Sequence, residues 1–105
     1  MKDRYKVKIS KQAKLDLADI VLYVKNILKA PSIANKYAEL FKSEINNLQY
    51  FPRRFAIVDS ELVKGKCIRR IIVKNYMIFY RVNEKEQLVE VDRIIYGASD
   101  WINEL

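Results

Sequence analysis

The sequence predicts an α+β fold in which a helical hairpin packs on one face of an antiparallel sheet, in the order βααβββ. Two observations lead to this prediction. Residues 11–49 carry apolar side chains at helical spacing, interrupted by Pro31. Residues 66–82 and 88–97 are instead rich in the β-branched and aromatic residues that suit a half-buried pleated surface. A chain of 105 residues is enough for one domain, and we expect one over residues 1–105.

The first predicted element is a strand over residues 5–9, where apolar and basic side chains alternate. The alternation places Lys6 and Lys8 towards solvent, and the inward side chains are Tyr5, Val7 and Ile9. Ser10 follows the strand and is a typical N-cap. A helix is therefore predicted to begin at Lys11.

Two helices are predicted, over residues 11–29 and 32–49, with Pro31 in the first turn of the second. The apolar stripe of the first is Leu17, Ile20, Val21, Val24, Ile27 and Leu28. The stripe of the second is Ile33, Tyr37, Phe41, Ile45 and Leu48. Such stripes indicate side chains that are buried in the core. The alternative is an exposed groove that accepts a helix of a partner protein. Phe51 and Pro52 end the helical region, and residues 53–65 are predicted to be a loop with a short extended piece at 55–58.

Three strands complete the fold as an antiparallel meander. Lys74 and Asn75 form a short break typical of a tight hairpin, and residues 83–86 form a second, polar break. Four arginines lie inside these strands, namely Arg69, Arg70, Arg81 and Arg93. Adjacent strand residues face opposite ways, so Arg69 and Arg70 cannot share a face. We expect a basic functional face on the side of the sheet away from the helices; the alternative is a set of charges that discourages aggregation.

The charge pattern points to an anionic partner. The net charge is +7, and residues 53–81 hold eight cations against Asp59 and Glu61. These cations are Arg53, Arg54, Lys64, Lys66, Arg69, Arg70, Lys74 and Arg81. With Arg93 they form the predicted target- or nucleic-acid-binding set.

Several classes of site are excluded by composition. The chain has no histidine, so Ser-His-Asp and Cys-His triads and histidine metal sites are absent. Its single cysteine, Cys67, is predicted to be an apolar filler within a strand, and no metal or cofactor is expected. No apolar run could span a membrane, and the first residues do not read as a signal peptide, so a cytoplasmic protein without membrane contact is expected.

Two segments of the sheet region resemble a known family. They are the sequences YMIFYRV at residues 76–82 and DRIIYGASDW at residues 92–101. Together with the upstream helical hairpin, their order and spacing are similar to the RelE/ParE superfamily of bacterial type II toxin–antitoxin toxins. The resemblance covers nearly the whole chain. It implies a toxin that arrests growth unless bound by an antitoxin, which is expected to be acidic and partly disordered.

The superfamily implies two different activities. RelE-like members cleave mRNA on the ribosome, a transesterification that needs cations for the phosphate together with a base and an acid. For that activity the resemblance implies Tyr96, Arg81 and Arg69 as catalytic residues. ParE-like members instead bind and poison DNA gyrase, without hydrolytic chemistry of their own.

The motifs favour the gyrase class slightly. The core at residues 78–82, IFYRV, and the compact ending at 97–101 are closer to ParE. Glu90 and Asp92 are the only carboxylates inside the strands, and neither is an obvious general base. A tyrosine hydroxyl in water ionises only near pH 10, so Tyr96 is expected to be a poor base unless neighbouring cations favour its ionised form. A basic nucleic-acid-binding module without toxicity is the third interpretation.

Overall fold

The computed structural model describes residues 4–99 and 101–105, without the side chain of Glu104. Residues 1–3 and Asp100, which belongs to the second family motif, lie outside the described residues. The strands are β1 (Lys6–Ile9), β2 (Arg69–Val73), β3 (Tyr76–Asn83) and β4 (Leu88–Tyr96). The helices are α1 (Lys11–Leu22), α2 (Pro31–Asn46) and α3 (Trp101–Glu104). The predicted βααβββ order is confirmed, with α3 as an addition.

The sheet has the strand order β1-β4-β3-β2. The predicted antiparallel meander of β2, β3 and β4 is confirmed. One detail differs, because β1 runs parallel to β4, with Lys6 opposite Leu88 and Ile9 opposite Val91. Parallel neighbours require a long crossover. The helical hairpin together with the meander supplies it, and β1 ends at the edge beyond β4.

The β2–β3 turn is fixed from two sides. Lys74 and Asn75 both have positive φ, 51° and 70°, as a two-residue type I′ turn requires. The N–H of Gly97, just after β4, donates to the carbonyl of Asn75 at 2.8 Å. A Cβ at residue 97 would lie 3.0 Å from that oxygen, so glycine permits the close approach. The turn and the end of β4 are thereby held together.

Ser10 caps α1 as predicted. Its Oγ accepts the N–H of Ala13 at 2.9 Å and donates to the carbonyl of Asp92 at 2.8 Å. The first contact satisfies one of the free N–H groups at the start of α1. The second joins the start of α1 to β4.

The first helix does not stay α-helical to residue 29, so the predicted end is wrong. The α-helix stops at Leu22 and continues as a π-helical turn, Tyr23–Ile27. The extra residue in this turn rotates the following side chains by about 100°. Val24 is buried as predicted, but the predicted core residues Ile27 and Leu28, at and beyond the end of this turn, are 64% and 57% exposed. Ile33, predicted to be core in the second helix, is also exposed.

Hydrophobic side chains cover both faces of the sheet. We call the side that packs on α1 and α2 the helix face; its cluster includes Phe41, Ile45, Leu48, Ile71, Ile78, Tyr80, Val89 and Val91. The other side, the open face, carries a smaller cluster of Val58, Val63, Ile68, Met77, Phe79 and Ile95, with Trp101, Ile102 and Leu105 packed against it. The expectation of a basic functional face on this side is therefore wrong in part, because the 58–68 segment and α3 cover much of it with apolar side chains.

Cys67 is also placed differently from the prediction. It is exposed and has a φ of 55°, and the strand begins two residues later at Arg69. The turn before β2 needs a left-handed residue at this point, which removes Cys67 from the sheet. Among the described residues, no helix is long and apolar enough to cross a membrane.

Candidate target-binding surface

Arg93 belongs to the internal structure of the protein. Its guanidinium donates to both carboxylate oxygens of Asp16 on α1, at 2.9 and 3.2 Å. Asp16 also accepts the backbone N–H of Ile94 at 2.9 Å. Because β1 pairs with β4 only as far as Val91, the N–H of Ile94 lies at an edge that β1 does not cover. The buried Asp16 carboxylate takes the place of the missing strand partner.

The charge of Asp16 is stabilised by these contacts. Burial raises the pKa of this carboxyl, but the hydrogen bonds from Arg93, from the N–H of Ile94 and from Gln12 outweigh it. The pKa of Asp16 therefore lies below its ordinary value. Asp16 remains ionised at neutral pH and holds α1 against β4.

Arg81 lies on the open face and is paired with carboxylates. It donates to both oxygens of Asp92, at 2.7 and 2.9 Å, and approaches Glu90 at 3.8 Å. The hydrogen bond to Asp92 is the main cause of the raised pKa of Arg81. Both in-strand carboxylates considered as bases are therefore partners of Arg81. No group of three His, Cys, Asp or Glu side chains that could hold a metal ion occurs in the described part of the chain.

Arg69 and Tyr80 hold the segment that precedes β2. They are paired across β2 and β3, and both lie on the helix face. Arg69 donates to the carbonyls of Arg53 and Phe55 at 3.1 and 2.6 Å, and the Tyr80 hydroxyl donates to the carbonyl of Pro52 at 2.6 Å. Burial raises the pKa of Tyr80 to about 12, so its hydroxyl stays protonated as a donor. These three bonds fix residues 50–55, which we call the 50–55 loop.

Arg54 closes the same loop on itself. It donates to the carbonyl of Tyr50 and, at 3.0 Å, to that of Phe51. Its guanidinium carbon lies 4.6 Å from the centre of the Phe55 ring. Arg53 points outward and pairs with Glu84 at 3.4 Å. Both arginines of the loop are therefore engaged within the protein.

Arg70 lies on the open face, opposite Arg69 as strand alternation predicts. Its guanidinium carbon is 5.5 Å from the centre of the Trp101 ring, and one of its nitrogens is 3.6 Å from the sulfur of Met77. Trp101 in turn stacks on Phe79 with ring centres 5.4 Å apart. Arg70 thus covers the end of the smaller hydrophobic cluster.

The predicted lysines are more dispersed. Lys64 approaches Glu61 at 3.7 Å, in a fully solvated pair worth little. Lys66 borders a recess of about 310 Å³ on the open face, together with Arg81, Arg93 and Asp92. Lys74 lies in the type I′ turn at the other end of β2. Within the described residues, neither Lys66 nor Lys74 forms an ion pair.

Tyr96 borders a groove of about 470 Å³ that the sequence did not indicate. Three other tyrosines line it, namely Tyr23, Tyr37 and Tyr76, and Lys74 lies at its rim. The rings of Tyr76 and Tyr96 are 5.4 Å apart. Burial raises the pKa of Tyr76, and the neighbouring tyrosine hydroxyls add to the effect. Two residues of the π-helical turn, Tyr23 and Val24, line the same groove.

The three residues considered for cleavage do not converge. Tyr96 pairs with Tyr76, and Arg69 pairs with Tyr80, so the two rows are four residues apart along β3. That separation is about 14 Å at the usual rise per residue. Arg81 is one residue further along β3 and lies on the opposite face from Arg69.

Residues 7–101 match the family model of the ParE toxin of the parDE type II toxin–antitoxin system. A search of curated proteins found no match. Among solved structures, the chromosomal ParDE system of Pseudomonas aeruginosa aligns with a TM-score of 0.72 and 22% identity, over 90% of this chain and 97% of that one.

RelE-type structures share the fold as well. The RelBE2 toxin–antitoxin complex of Mycobacterium tuberculosis aligns with a TM-score of 0.64 and 19% identity, over 94% of this chain and 98% of that one. A mutant of the Escherichia coli toxin RelE in the free state aligns with a TM-score of 0.62 and 12% identity, over 96% and 92%. At these identities the structural likeness shows the fold, whereas the match over residues 7–101 shows the family. The chain belongs to the ParE toxin family and is a toxin of a type II toxin–antitoxin system.

Proposed function

We propose that this toxin acts in the cytoplasm by binding DNA gyrase. The observation that supports this proposal is the separation of Tyr96, Arg69 and Arg81. General acid–base catalysis requires the proton-transferring group within hydrogen-bond reach of the reacting atoms, about 2.6–3.2 Å. The backbone rows of Tyr96 and Arg69 lie about 14 Å apart along the sheet, and Arg69 is bonded to the carbonyls of Arg53 and Phe55, so the two side chains are not directed at one phosphate. A binding mechanism has no such requirement.

The state of the arginines supports the same proposal. Arg69 is used to hold the 50–55 loop, and Arg81 is neutralised by Asp92. Phosphate stabilisation in a transesterification needs cations directed at the developing charge. Arginines already bonded to carbonyls and carboxylates would have to be released first, at a cost that opposes catalysis.

Ribosome-dependent mRNA cleavage is the second candidate function. The recess on the open face favours it, because Lys66, Arg81 and Arg93 all line it. Asp92 lies in the same recess and would be the available base once Arg81 turned to a phosphate. Tyr96 would have no part in this version of the site.

We further propose that an acidic antitoxin holds the toxin inactive through the outer side of the helical hairpin. The structural relatives from P. aeruginosa and M. tuberculosis are toxin–antitoxin systems. In this chain the hairpin exposes large apolar side chains, which include Leu15, Leu22, Ile27 and Leu28. Together with the net charge of +7, they favour an amphipathic partner that carries carboxylates.

The test compares two targets directly. Purified toxin is added to gyrase with relaxed plasmid, and separately to a ribosomal translation reaction with a defined mRNA. We expect loss of supercoiling at toxin concentrations that leave the mRNA intact. Cleaved mRNA with normal supercoiling would replace the gyrase proposal by the second candidate. Pulse labelling after induction in bacteria gives the same choice in cells, since thymidine incorporation should fall before methionine incorporation.

A further inference from the structure

Phe51 is an unusual residue for its position. Its φ of 45° and ψ of 55° place it in the left-handed region. Glycine and asparagine adopt that conformation readily, but a bulky side chain there is a genuine outlier. Its side chain is also 68% exposed, the highest value among the large hydrophobic side chains of the described residues. The chain therefore bears backbone strain at a residue that packs against little of its own structure.

The surrounding contacts explain how the strain is maintained. Arg54 donates to the carbonyl of Phe51 itself, and Tyr80 and Arg69 hold the carbonyls of Pro52, Arg53 and Phe55. Tyr80 is fully buried, so the loop is fastened to the core rather than to the surface. Residues kept in such conformations by several bonds are frequent at functional sites. The bonds to the 50–55 loop therefore fix the backbone from which the Phe51 ring projects into solvent.

An exposed aromatic side chain on a fixed backbone is well suited to bind a protein surface. Aromatic residues at the centre of interfaces contribute most of the binding energy, and a pre-ordered loop loses little entropy on association. Nucleic acid is the less favoured partner, because the guanidinium of Arg54 is occupied by carbonyls and Arg53 is paired with Glu84. The loop thus lacks free cations for phosphates, whereas an apolar recess on a protein needs none.

We propose that Phe51 is the anchor with which the toxin enters an apolar recess on its protein target. This inference rests on the proposed function, in which that target is DNA gyrase. Truncation of Phe51 removes the contact but leaves the fold, the core and the outer side of the helical hairpin unchanged.

The test uses Phe51→Gly in the full chain. Glycine relieves the left-handed strain, which offsets its greater freedom in the unfolded state, so the melting temperature should change by no more than a few degrees. Inhibition of supercoiling should weaken at least about tenfold, as for loss of an interface anchor. A loss of activity without a loss of stability would separate target binding from a structural role.

Two control variants match the two changes made by Phe51→Gly. Leu62→Ala removes another apolar side chain that is 65% exposed, and Cys67→Gly removes a side chain at another left-handed position. Both should inhibit gyrase as the unmodified toxin does. The inference is overturned if Phe51→Gly inhibits gyrase as strongly as the unmodified toxin, or if Leu62→Ala loses as much inhibition as Phe51→Gly. The gyrase function stands in either case.

Two further outcomes are distinguishable. If the unmodified toxin leaves supercoiling intact, the proposed function fails and the inference fails with it. If Phe51→Gly weakens binding to a single-stranded oligonucleotide but not to gyrase, the ring stacks on bases and the protein-recess inference is overturned.

Discussion

The two faces of the sheet use their polar residues in different ways. On the helix face and along the neighbouring edge of β4, Arg69 and Arg93 are bonded to backbone carbonyls and to a buried carboxylate. On the open face, Arg70 and Arg81 lie at the surface, against an indole ring and exposed carboxylates. An arginine within a strand is therefore not by itself a functional residue. What it contacts decides whether its loss affects stability or activity.

The largest effect should come from the hydrophobic cluster of the helix face. Phe41 is fully buried, so Phe41→Ala should cost about 4 kcal/mol in the free energy of unfolding. Trp101→Ala removes a half-buried ring from the open face and should cost about half as much, roughly 2 kcal/mol. Denaturant titration of both variants measures the difference. Equal costs would mean that the open-face cluster contributes as much to the fold as the helix face.

A smaller effect is expected from the paired carboxylates. Asp16→Asn weakens a buried ion pair and should cost about 3 kcal/mol, or a fall in melting temperature of roughly 10–20 °C. Asp92→Asn affects a more exposed pair and should cost less than about 1 kcal/mol. Thermal unfolding of the two variants side by side measures both.

The pH dependence of stability provides a check on Asp16. Its pKa is lowered in the folded state, so its contribution is present above the unfolded value of about 4 and is lost as pH falls through the folded value. The difference in stability between the unmodified toxin and Asp16→Asn should therefore shrink in acid. A difference that stays constant below pH 4 would contradict the assignment.

Tyr80→Phe should cost about 1 kcal/mol, since it removes one buried hydrogen bond to the carbonyl of Pro52. The pKa of Tyr80 is raised to about 12 in the folded state. Its contribution is therefore complete below the unfolded value of about 10 and is lost as pH rises through the folded value. The variant should lose less stability than the unmodified toxin as pH rises from about 10 to about 12, and melting curves at a series of alkaline pH values measure this.

The same substitution, Tyr80→Phe, should also weaken toxicity, because it loosens the 50–55 loop.

The smallest effect is expected at Tyr96. Its ring lies against Tyr76, far from Arg69 and Arg81, so Tyr96→Phe should change growth arrest by less than about twofold. Bacterial growth after induction at matched expression measures this. Complete loss of toxicity would contradict this expectation and would show that the Tyr96 hydroxyl is needed for activity.

Much of the fold follows from local patterns in the sequence. Four predicted features depend only on neighbours in the chain, and the structure has all of them. They are the alternation at Lys6 and Lys8, the cap at Ser10, Pro31 in the first turn of α2, and the Lys74-Asn75 turn. The parallel β1–β4 pairing and the π-helical turn depend on tertiary packing, which periodicity does not report.

The candidate site was less predictable for the same reason. Charge and strand alternation identified the arginines but not their partners, since Asp16 is 77 residues from Arg93. One signal was present, because Asp16 occupies a position between Ala13 and Ile20 where an inward face is expected to be apolar. Phe51 gave no signal, because its left-handed backbone arises from bonds made by Arg54, Tyr80 and Arg69.

The parallel pairing of β1 with β4 has a consequence for synthesis of the toxin. Lys6 pairs with Leu88, so β1 has no partner strand until the ribosome has added the 81 residues between them and begun β4. At about 5–20 residues per second this wait lasts several seconds. During that time the fully buried Val89 and Val91 are not yet available to complete the core. A growing chain cannot assume the toxin's fold until β4 has been made, so the active shape appears only after residues 88–96 have left the ribosome.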